Sequence, residues 1–325
     1  MAKRPIMDDV AREAGVSRTL VSLAFRNAPG VSEATRQHIL EVANRIGYRR
    51  NMMASQLASL STRTLGVILF DMGNDLTTDV FRGIQDEADK LDFGLLVGVS
   101  DSTGKRDKRT VEYLIEARVE AILLISSAMA GSELRAMSRT TPVVSLTRQV
   151  NGIDSVVCDG MAGAQLAVEH LVGLGHTRID HLAPAWRPSH RVTGYESAMR
   201  KAGLTPRITE ITYERDDAAR AAEWLLKQAE PPTAIFANND IAAQGVLDAL
   251  YETRLRVPDD VAVVGYDNLR SSASKLISLT SVDQQAFRLG QLGVQTAQAR
   301  IAHPAASPIL RVLSPELVIR RSTVG

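Results

Sequence analysis

Cysteine is almost absent from this chain of 325 residues, since Cys158 is the single one. One thiol excludes a disulfide within the chain and a cysteine-rich metal site, and it fits a reducing compartment. The N-terminal residues lack the apolar stretch of a secretory signal. No run approaches the roughly 18 apolar residues that a membrane span needs. These absences predict a cytoplasmic protein with no membrane partner and no bound metal.

Signatures of common enzymes are missing as well. The sequence contains no G-x-S-x-G elbow, no phosphate-binding P-loop, no G-x-G-x-x-G dinucleotide turn and no H-E-x-x-H zinc motif. His176 and His181 lie five residues apart, but neither has a clear third ligand nearby. We therefore expect neither an enzyme nor a cofactor.

Charge is unevenly distributed along the chain. Residues 1–62 contain nine Lys and Arg against five Asp and Glu, a net charge of +4, and the remainder carries −3. A small basic head on a mildly acidic body predicts a polyanionic partner for the head. The alternative is a solvated helical surface that is basic by chance.

From Thr64 onward, short β-branched runs alternate with amphipathic segments, which is typical of an α/β fold. The runs that predict strands are Thr64–Phe70, Gly94–Val99, Ala121–Ile125, Pro142–Leu146, Arg178–Leu182, Thr233–Ala237 and Val261–Tyr266. Such alternation predicts parallel sheets with helices on both faces. About ten strands exceed one open sheet, so we expect two doubly wound subdomains with a ligand cleft between them.

The head shows three short helical patterns and no strand. Met7–Ala14 predicts a first helix, Gly15 a turn, and Ser17 the cap of a second helix. Val21, Ala24 and Phe25 share the inner face of that second helix, and after a cap at Ser32 the third helix has Ile39, Leu40, Ala43 and Ile46 as its predicted buried stripe. Two helices joined by a tight glycine turn can place the second in a DNA major groove. A plain three-helix structural module is the alternative.

The exact amino acids of the head are more specific than their helical pattern. The run from Asp9 to Ser17 (DVAREAGVS), followed by VSEATR from Val31 to Arg36 and IGY from Ile46 to Tyr48, resembles the LacI/GalR family of bacterial repressors. The resemblance continues through AVEHL, LGH, ND, VVGYD and LVIR in the body, so it covers essentially the whole chain. It implies a helix-turn-helix head over 1–50, a hinge helix and linker over 51–63, and an effector-binding and dimerisation domain over 64–325.

By the same resemblance, the residues that read bases are Arg18, Thr19 and Leu23, whereas Ser17, Ser22 and Arg26 contact phosphates. The family often has Arg where this chain has Leu23, which can offer only apolar contact, for instance to a thymine methyl. In the hinge, Leu57 matches the leucine that wedges into the minor groove, and Asn51 and the small Ala54 belong to the same segment. An ordinary apolar linker residue is the alternative for Leu57.

The body resembles the periplasmic sugar-binding fold that this family uses for small effectors. Its cleft residues map onto Asn74, Arg148, Arg191, Asn239 and Asp267, which suit a hydroxylated or anionic molecule such as a sugar or sugar derivative. Each of them could instead be a buried polar residue that ties loops together. The aromatic residues usual after the first strand are missing here; Trp186 could replace them, whereas Trp224 fits a helix core.

The resemblance implies a repressor, of a catabolic operon in many relatives, whose affinity for DNA changes when the effector binds. An activator with the same architecture is the alternative, and a transport binding protein is a third reading that an export signal would have favoured. The chain ends soon after Arg321 without a heptad tail, which favours a homodimer over a tetramer. A twofold dimer implies a roughly palindromic operator.

Overall fold

A computed structural model describes residues 5–25, 28–49, 61–69, 73–100, 105–184, 189–212 and 214–325, with the backbone alone at 105 and 106. The chain divides into two compact units, Met1–Thr62 and Arg63–Gly325, called here the head and the body. Arg26, Asn51, Ala54, Leu57 and Trp186 lie outside the described residues. Among the helices that are described, none is long and apolar enough to cross a membrane.

The head contains helices α1 (Met7–Ala14), α2 (Arg18–Phe25) and α3 (Glu33–Arg45). Gly15 ends α1 with a φ of 66°, and the next N–H, that of Val16, donates to the Ala11 carbonyl at 3.0 Å. A left-handed residue followed by such a return bond is a common helix end that favours glycine. The Ser17 hydroxyl then accepts a hydrogen bond from the Leu20 N–H at 3.2 Å, which stabilises the first turn of α2.

A small apolar core joins the three helices, with Val10, Val21, Ala24, Ile39 and Val42 buried at its centre. The predicted stripe of α3 was wrong at Leu40, which is 37% exposed, and Val42 is buried in its place; Ile46 caps the helix end and is half-buried. Residues 39, 42, 43 and 46 follow the helical spacing of three and four, whereas residue 40 lies about 100° around the helix from residue 39. The prediction of three helices with a buried face is otherwise confirmed.

The body contains two sheets. The first has the strands β1 (Thr64–Leu69), β2 (Gly94–Val99), β3 (Ala121–Ile125), β4 (Val143–Leu146), β5 (Asp154–Cys158) and β11 (Leu310–Leu313), in the parallel order β11-β5-β4-β3-β1-β2. The second has β6 (Ile179–Pro184), β7 (Arg207–Ile211), β8 (Ala234–Ala237), β9 (Ala262–Tyr266), β10 (Thr280–Asp283) and β12 (Glu316–Val318), in the order β12-β10-β9-β8-β6-β7. All pairs in the second sheet are parallel except that of β12 with β10.

Each sheet is packed by its own helices, which makes two subdomains. The first subdomain has α4 (Asp75–Lys90), α5 (Lys105–Glu116), α6 (Gly131–Met137) and α11 (Ala286–Ala302); the second has α7 (Gly160–Gly173), α8 (His190–Lys201), α9 (Arg215–Leu226) and α10 (Asp240–Glu252). Each subdomain has buried apolar clusters on its sheet. The prediction of two doubly wound parallel subdomains is confirmed.

The chain passes between the subdomains three times: after β5, between β10 and α11, and between β11 and β12. The second passage brings α11 onto α4, where two glycines let the helices touch. A Cβ on Gly83 would overlap the carbonyl oxygen of Phe287, and one on Gly290 would overlap that of Val80. The close contact fixes the start of α11, and hence the passage before it, against the first subdomain.

Candidate nucleic-acid interface and ligand site

The first turn of α2 presents polar side chains to solvent. Ser17, Arg18 and Thr19 are exposed, whereas Val21 and Ala24 of the same helix are buried against α1 and α3. The predicted contact residues Ser22 and Leu23 are half-buried. The buried pair fixes the roll of the helix, so a guanidinium and two hydroxyls lie together on its outer side. These are donors and acceptors that suit phosphate oxygens and base edges.

The guanidinium of Arg18 has an acidic neighbour on α1. Its Nε lies 3.6 Å from Oδ1 of Asp8, and the two side chains are 70% and 55% exposed. An arginine has five N–H donors in a planar fork, so a carboxylate beside Nε still leaves Nη donors for another acceptor.

The far end of α2 is held by α3, through a residue that the sequence did not identify. Nη1 of Arg36 donates to the Ala24 carbonyl at 3.0 Å, and its Nη2 donates to the Ala28 carbonyl at 3.3 Å. Carbonyls at a helix end lack intrahelical partners, and a cation there also interacts favourably with the helix dipole. Arg36 therefore locks the helix end and the following turn onto the head core.

In the body, the carboxyl ends of the first sheet carry Asn74, which precedes α4, and Arg148, which follows β4. The Asn74 side chain caps α4 by accepting a hydrogen bond from the Leu76 N–H at 2.9 Å. Nη1 of Arg148 donates to the carbonyls of Ser127 and Met129, both at 2.8 Å. Both of these predicted ligand residues thus shape the wall that they belong to.

A buried carboxylate, which no sequence pattern revealed, organises the same edge. Asp107 of α5 is fully buried, and its Oδ2 accepts a hydrogen bond from the Ser127 hydroxyl at 2.8 Å. Its Oδ1 accepts a second bond from the Ser100 hydroxyl. Since Ser100 follows β2 and Ser127 follows β3, Asp107 ties together the ends of two strands that are not neighbours in the sheet.

The second sheet brings Arg191 and Asp267 together. Arg191 lies in the first turn of α8 with its guanidinium 3.6 Å from the centre of the Tyr266 ring, a cation–π contact. Its Nη1 donates to the Asn238 carbonyl, and its Nη2 lies 3.5 Å from Oδ1 of Asp267. The adjacent Asn239 caps α10, its side chain accepting from the Ala242 N–H at 2.8 Å. Of the residues that the sequence placed near one another, the structure has Arg191 and Asp267 in contact, whereas the side chain of Asn239 bonds to its own helix.

Asp267 is the most constrained of these groups. It is 5% exposed and has a φ of 108°, a conformation that side-chain-bearing residues rarely adopt. Gln284, which the sequence did not identify, donates from Nε2 to Oδ1 of Asp267 at 2.6 Å. Burial raises the pKa of Asp267 to about 7, although the nearby Arg191 acts to lower that pKa. The carboxyl can therefore change its protonation state near neutral pH.

The two subdomains contact each other beside this site. The Ser271 N–H donates to Oδ2 of Asp75 at 3.4 Å, and Arg270 forms an ion pair with Asp79. A cavity of about 460 Å³ opens there, lined by α4, by residues 267–270 and by the start of α11, with Asp267 in its wall. Three carboxylates and three guanidinium groups line it, namely Asp79, Asp267, Asp283, Arg82, Arg270 and Arg288.

His181 and Trp224 occupy opposite environments. His181 is fully buried, its ring stacks on Phe236 at 4.5 Å, and Nδ1 donates to the Phe236 carbonyl at 2.8 Å. Burial lowers the pKa of His181 to about 4, so the ring is neutral. Within the described ranges, no group of three or more His, Cys, Asp or Glu side chains could hold a metal ion.

The interpretation of Trp224 as a core residue was wrong, because the residue is 58% exposed. Ala218, Ala222 and Leu225 are the buried residues of α9. They follow the helical spacing of three and four, and residue 224 lies about 200° around the helix from residue 222. The apolar run AAEWLL concealed this difference because its hydrophobic residues continue around the helix.

Known proteins resemble the chain at the level of both sequence and structure. Residues 6–51 match the bacterial regulatory proteins of the lacI family, and residues 168–323 match the periplasmic binding protein-like domain. Catabolite control protein A of Priestia megaterium is 31% identical over 325 residues, which cover 97% of this chain and 98% of that protein. The ribose operon repressor of Escherichia coli K12 is 30% identical, covering 97% of this chain and 99% of that protein.

Among solved structures, the lac repressor dimer bound to operator and the anti-inducer ONPF superposes with a TM-score of 0.88 at 27% identity. The match covers 99% of this chain and 100% of that one. Sequence and structure therefore match bacterial regulatory proteins along the whole length of the chain. The chain belongs to the lacI family of bacterial regulatory proteins.

Proposed function

We propose that this protein represses transcription by binding a roughly palindromic operator as a homodimer, and that a small effector in the body changes its affinity for the operator. The observation that carries the proposal is α2, whose exposed first turn holds Ser17, Arg18 and Thr19 after the Gly15 turn. An activator with the same architecture would differ only in where its operator lies. Catalysis is not part of the proposal, since the sequence carries no signature of an enzyme site.

The proposed reading of DNA assigns roles to exposed and half-buried side chains of α2 and to residues next to it in the chain. Arg18 can donate a bidentate pair to guanine, Thr19 can donate or accept, and Leu23 can contact a thymine methyl. Ser17 and Ser22, with Arg26 beyond them, would contact phosphates and fix the register of the helix. Asn51, Ala54 and Leu57, outside the described residues, would form the minor-groove hinge that the family resemblance implies.

The proposed effector is a hydroxylated molecule such as a sugar or sugar derivative. Two of the similar structures hold ribose and cellobiose, respectively. The carboxylate of Asp267 and the guanidinium of Arg191 can bind hydroxyl groups or an anionic group in the manner of a sugar site. We assign Asn74, Arg148 and Asn239 to shaping the walls, because each is bonded to the backbone of its own wall. Trp186 stays a candidate ring-stacking residue outside the described residues.

The proposed homodimer has candidate surfaces on the body. Strand β2 is an edge strand of the first sheet, and Leu96, Val97 and Val99 on it are exposed. Tyr113, Trp224, Tyr251 and Leu276 are large apolar or aromatic residues that are also exposed. Exposed apolar groups and open sheet edges are typical of surfaces that a partner covers. A second copy of the chain would cover them in an operator-bound dimer.

Switching requires that the effector bind the DNA-competent and the incompetent arrangement of the body unequally. The contacts of Arg270 with Asp79 and of Ser271 with Asp75 join the subdomains next to the site. A ligand that touches Asp267 lies beside these contacts, because Asp267 and Arg270 line the same cavity. Binding there can therefore change the angle between the subdomains.

The experiment is an operator selection from random duplexes with the wild type, Arg18→Ala and Arg45→Ala. Arg18→Ala should weaken specific binding by about 1–3 kcal/mol and remove the preference at one position of each half-site. Arg45→Ala is the matched control, because it removes one equally exposed positive charge from α3 of the same head. If Arg18→Ala selects the same sequence as the wild type, Arg18 does not read bases.

A further inference from the structure

Two acidic residues lie in the first turn of α1, and their side chains have different partners. Oδ2 of Asp9 accepts a hydrogen bond from the Ile6 N–H at 2.9 Å, and its Oδ1 pairs with Nη2 of Arg12 at 2.5 Å. Asp9 therefore caps α1. Asp8 has a different neighbour: among the described residues, the ion pair that it forms is with Arg18, the first residue of α2.

Stability does not account for the pair of Asp8 with Arg18. Both side chains are more than half exposed, and ion pairs of this kind add little to the free energy of unfolding because water and salt screen them. On a surface that approaches DNA, an acid also has a cost, since it repels the phosphates that provide most of the sequence-independent affinity. An acid beside the leading arginine thus weakens binding to DNA in general.

What Asp8 can supply is orientation. Its Oδ1 lies 3.6 Å from Nε, which is the inner nitrogen of the Arg18 guanidinium. A carboxylate on that side draws the planar group toward α1 and turns the outer edge, with Nη1 and Nη2, away from it. That outer edge is the fork that pairs with the O6 and N7 atoms of guanine. A long side chain that is already oriented also loses less rotamer freedom when it binds.

We propose that Asp8 is a specificity-determining residue, which positions the Arg18 fork for one base pair and at the same time lowers affinity for other DNA. The inference rests on the proposed base-reading role of Arg18. Asp8 touches no base itself and acts through Arg18. Its effect is therefore on the ratio of affinities for right and wrong sites, more than on affinity alone.

The test compares two duplexes at one fixed salt concentration: the operator obtained by selection, and the same operator with the Arg18-dependent base pair exchanged in each half-site. Dissociation constants are measured by fluorescence anisotropy with the full chain. Asp8→Asn keeps the shape of the side chain and removes its charge. We expect Asp8→Asn to bind both duplexes more tightly than the wild type and to lose about fivefold in the ratio of the two affinities.

Glu13→Gln is the matched control, because Glu13 also lies on α1 and its carboxylate is 3.8 Å from Arg45, away from α2. It removes the same charge, so it should strengthen binding to both duplexes and leave their ratio unchanged. Asp8→Glu, which restores the carboxylate on a longer stem, should recover more than half of the lost discrimination. Adding Asp8→Asn to Arg18→Ala should not change the ratio further.

Three outcomes would overturn the inference. An unchanged ratio in Asp8→Asn would show that the pair does not orient Arg18. An equal fall of the affinity ratio in Glu13→Gln would show that the effect comes from net charge. A wild-type ratio in Arg18→Ala would remove the proposed base-reading role and the inference together, which separates the two failures. Asp8→Ala provides a second variant if Asp8→Asn does not fold, and circular dichroism monitors the helices of each.

Discussion

On α2 of the head, Ser17, Arg18 and Thr19 are exposed, whereas on the wall of the body cleft Asn239 and Asp267 are buried and hydrogen-bonded. The head side chains have most of their bonding capacity turned to water. The cleft side chains already use theirs within the protein. A surface that meets a polyanion can exchange water for phosphate and base contacts. A site for a small neutral or anionic molecule needs its groups fixed before the ligand arrives.

The comparison also predicts how substitutions act. Truncation of an exposed side chain on α2 removes contacts to DNA and leaves the fold nearly unchanged. Truncation in the cleft leaves a buried partner without its counterpart, as when Arg191 is removed from Asp267. Substitutions on α2 should therefore change DNA binding without changing stability. Substitutions in the cleft should change both the effector response and stability.

The largest effect is expected from Arg191→Ala and Asp267→Ala, which should abolish the response of operator affinity to the effector. Asp267 lines the cavity between the subdomains and Arg191 pairs with it, so each substitution removes the charged partner of the other residue. Operator binding without effector should persist. The measurement is an operator titration with and without an effector, found by a thermal-shift screen of pentoses, hexoses, disaccharides and their phosphates.

Arg215→Ala is the control for that experiment, because Arg215 forms an exposed ion pair with Asp248 in the same subdomain, at 2.6 Å between Nε and Oδ2. It should respond to the effector as the wild type does. If the effector is a corepressor, the sign reverses, and both cleft variants bind the operator poorly at all times. A normal shift of affinity in both variants would place the effector site elsewhere.

How much of this could be predicted depends on the range of the interactions. The head was predictable because its signals are local: Gly15 ends one helix, Ser17 and Ser32 cap the next two, and the apolar spacing follows one helical period. The seven strands predicted in the body are present for a similar reason, since buried parallel strands are short apolar runs.

Strand β10 shows where that signal ends. Its sequence, TSVD, is polar, yet its first three residues are buried. The hydroxyl of Ser281 donates to the buried carboxylate of Asp240 at 2.6 Å, and the hydroxyl of Thr280 lies 2.7 Å from that of Thr323. Partners 41 and 43 residues away make burial of these polar groups possible. No local pattern reveals such partners.

The same limit applies to the candidate site. Arg191, Asn239 and Asp267 were predicted through the family resemblance. Gln284 and Asp107 were not, because they contact strand ends that only the fold brings together. The sequence also could not show that Arg148 is bonded to the carbonyls of a neighbouring loop. The residue types at this site could be predicted from the sequence, whereas their hydrogen-bond partners could not.

A second effect is expected when the pH changes, namely a change of about 2 kcal/mol in the free energy of unfolding. The pKa of Asp267 is raised to about 7 in the folded protein by burial, and it returns to an ordinary value near 4 on unfolding. Between these values the folded state binds more protons than the unfolded state, so this group's contribution to stability is lost as pH rises from about 5 to about 7.

Urea unfolding gives the free energy of unfolding of the wild type and of Asp267→Asn at several pH values. The effect of Asp267 is the difference between the slopes of these two free energies against pH. The comparison with the variant is needed because Asp240, whose pKa burial raises to about 6, acts in the same direction, and His181, whose pKa burial lowers to about 4, acts in the opposite direction. Asp267→Asn should lose less stability than the wild type between pH 5 and pH 7. Parallel curves would show that Asp267 is charged in the folded state throughout.

The smallest effect is expected from Gly15→Ala in the turn before α2. A Cβ there meets no atom within 4 Å, but the φ of 66° is a conformation that costs alanine roughly 1 kcal/mol. Gly173→Ala is the control, because Gly173 ends α7 with open space around it and has no positive φ. Hydrogen exchange in the full chain should show about fivefold weaker protection of α2 amides in Gly15→Ala, since local opening follows local stability.

Protection of α7 in Gly173→Ala should be equal to or stronger than that of the wild type. Because the buried residues of α2 pack in the head core, this loss should stay in the head, and the effector response of the body should be unchanged. Weaker protection of body amides in Gly15→Ala would mean that head and body do not unfold separately, and the contrast between them would then not extend to their stability.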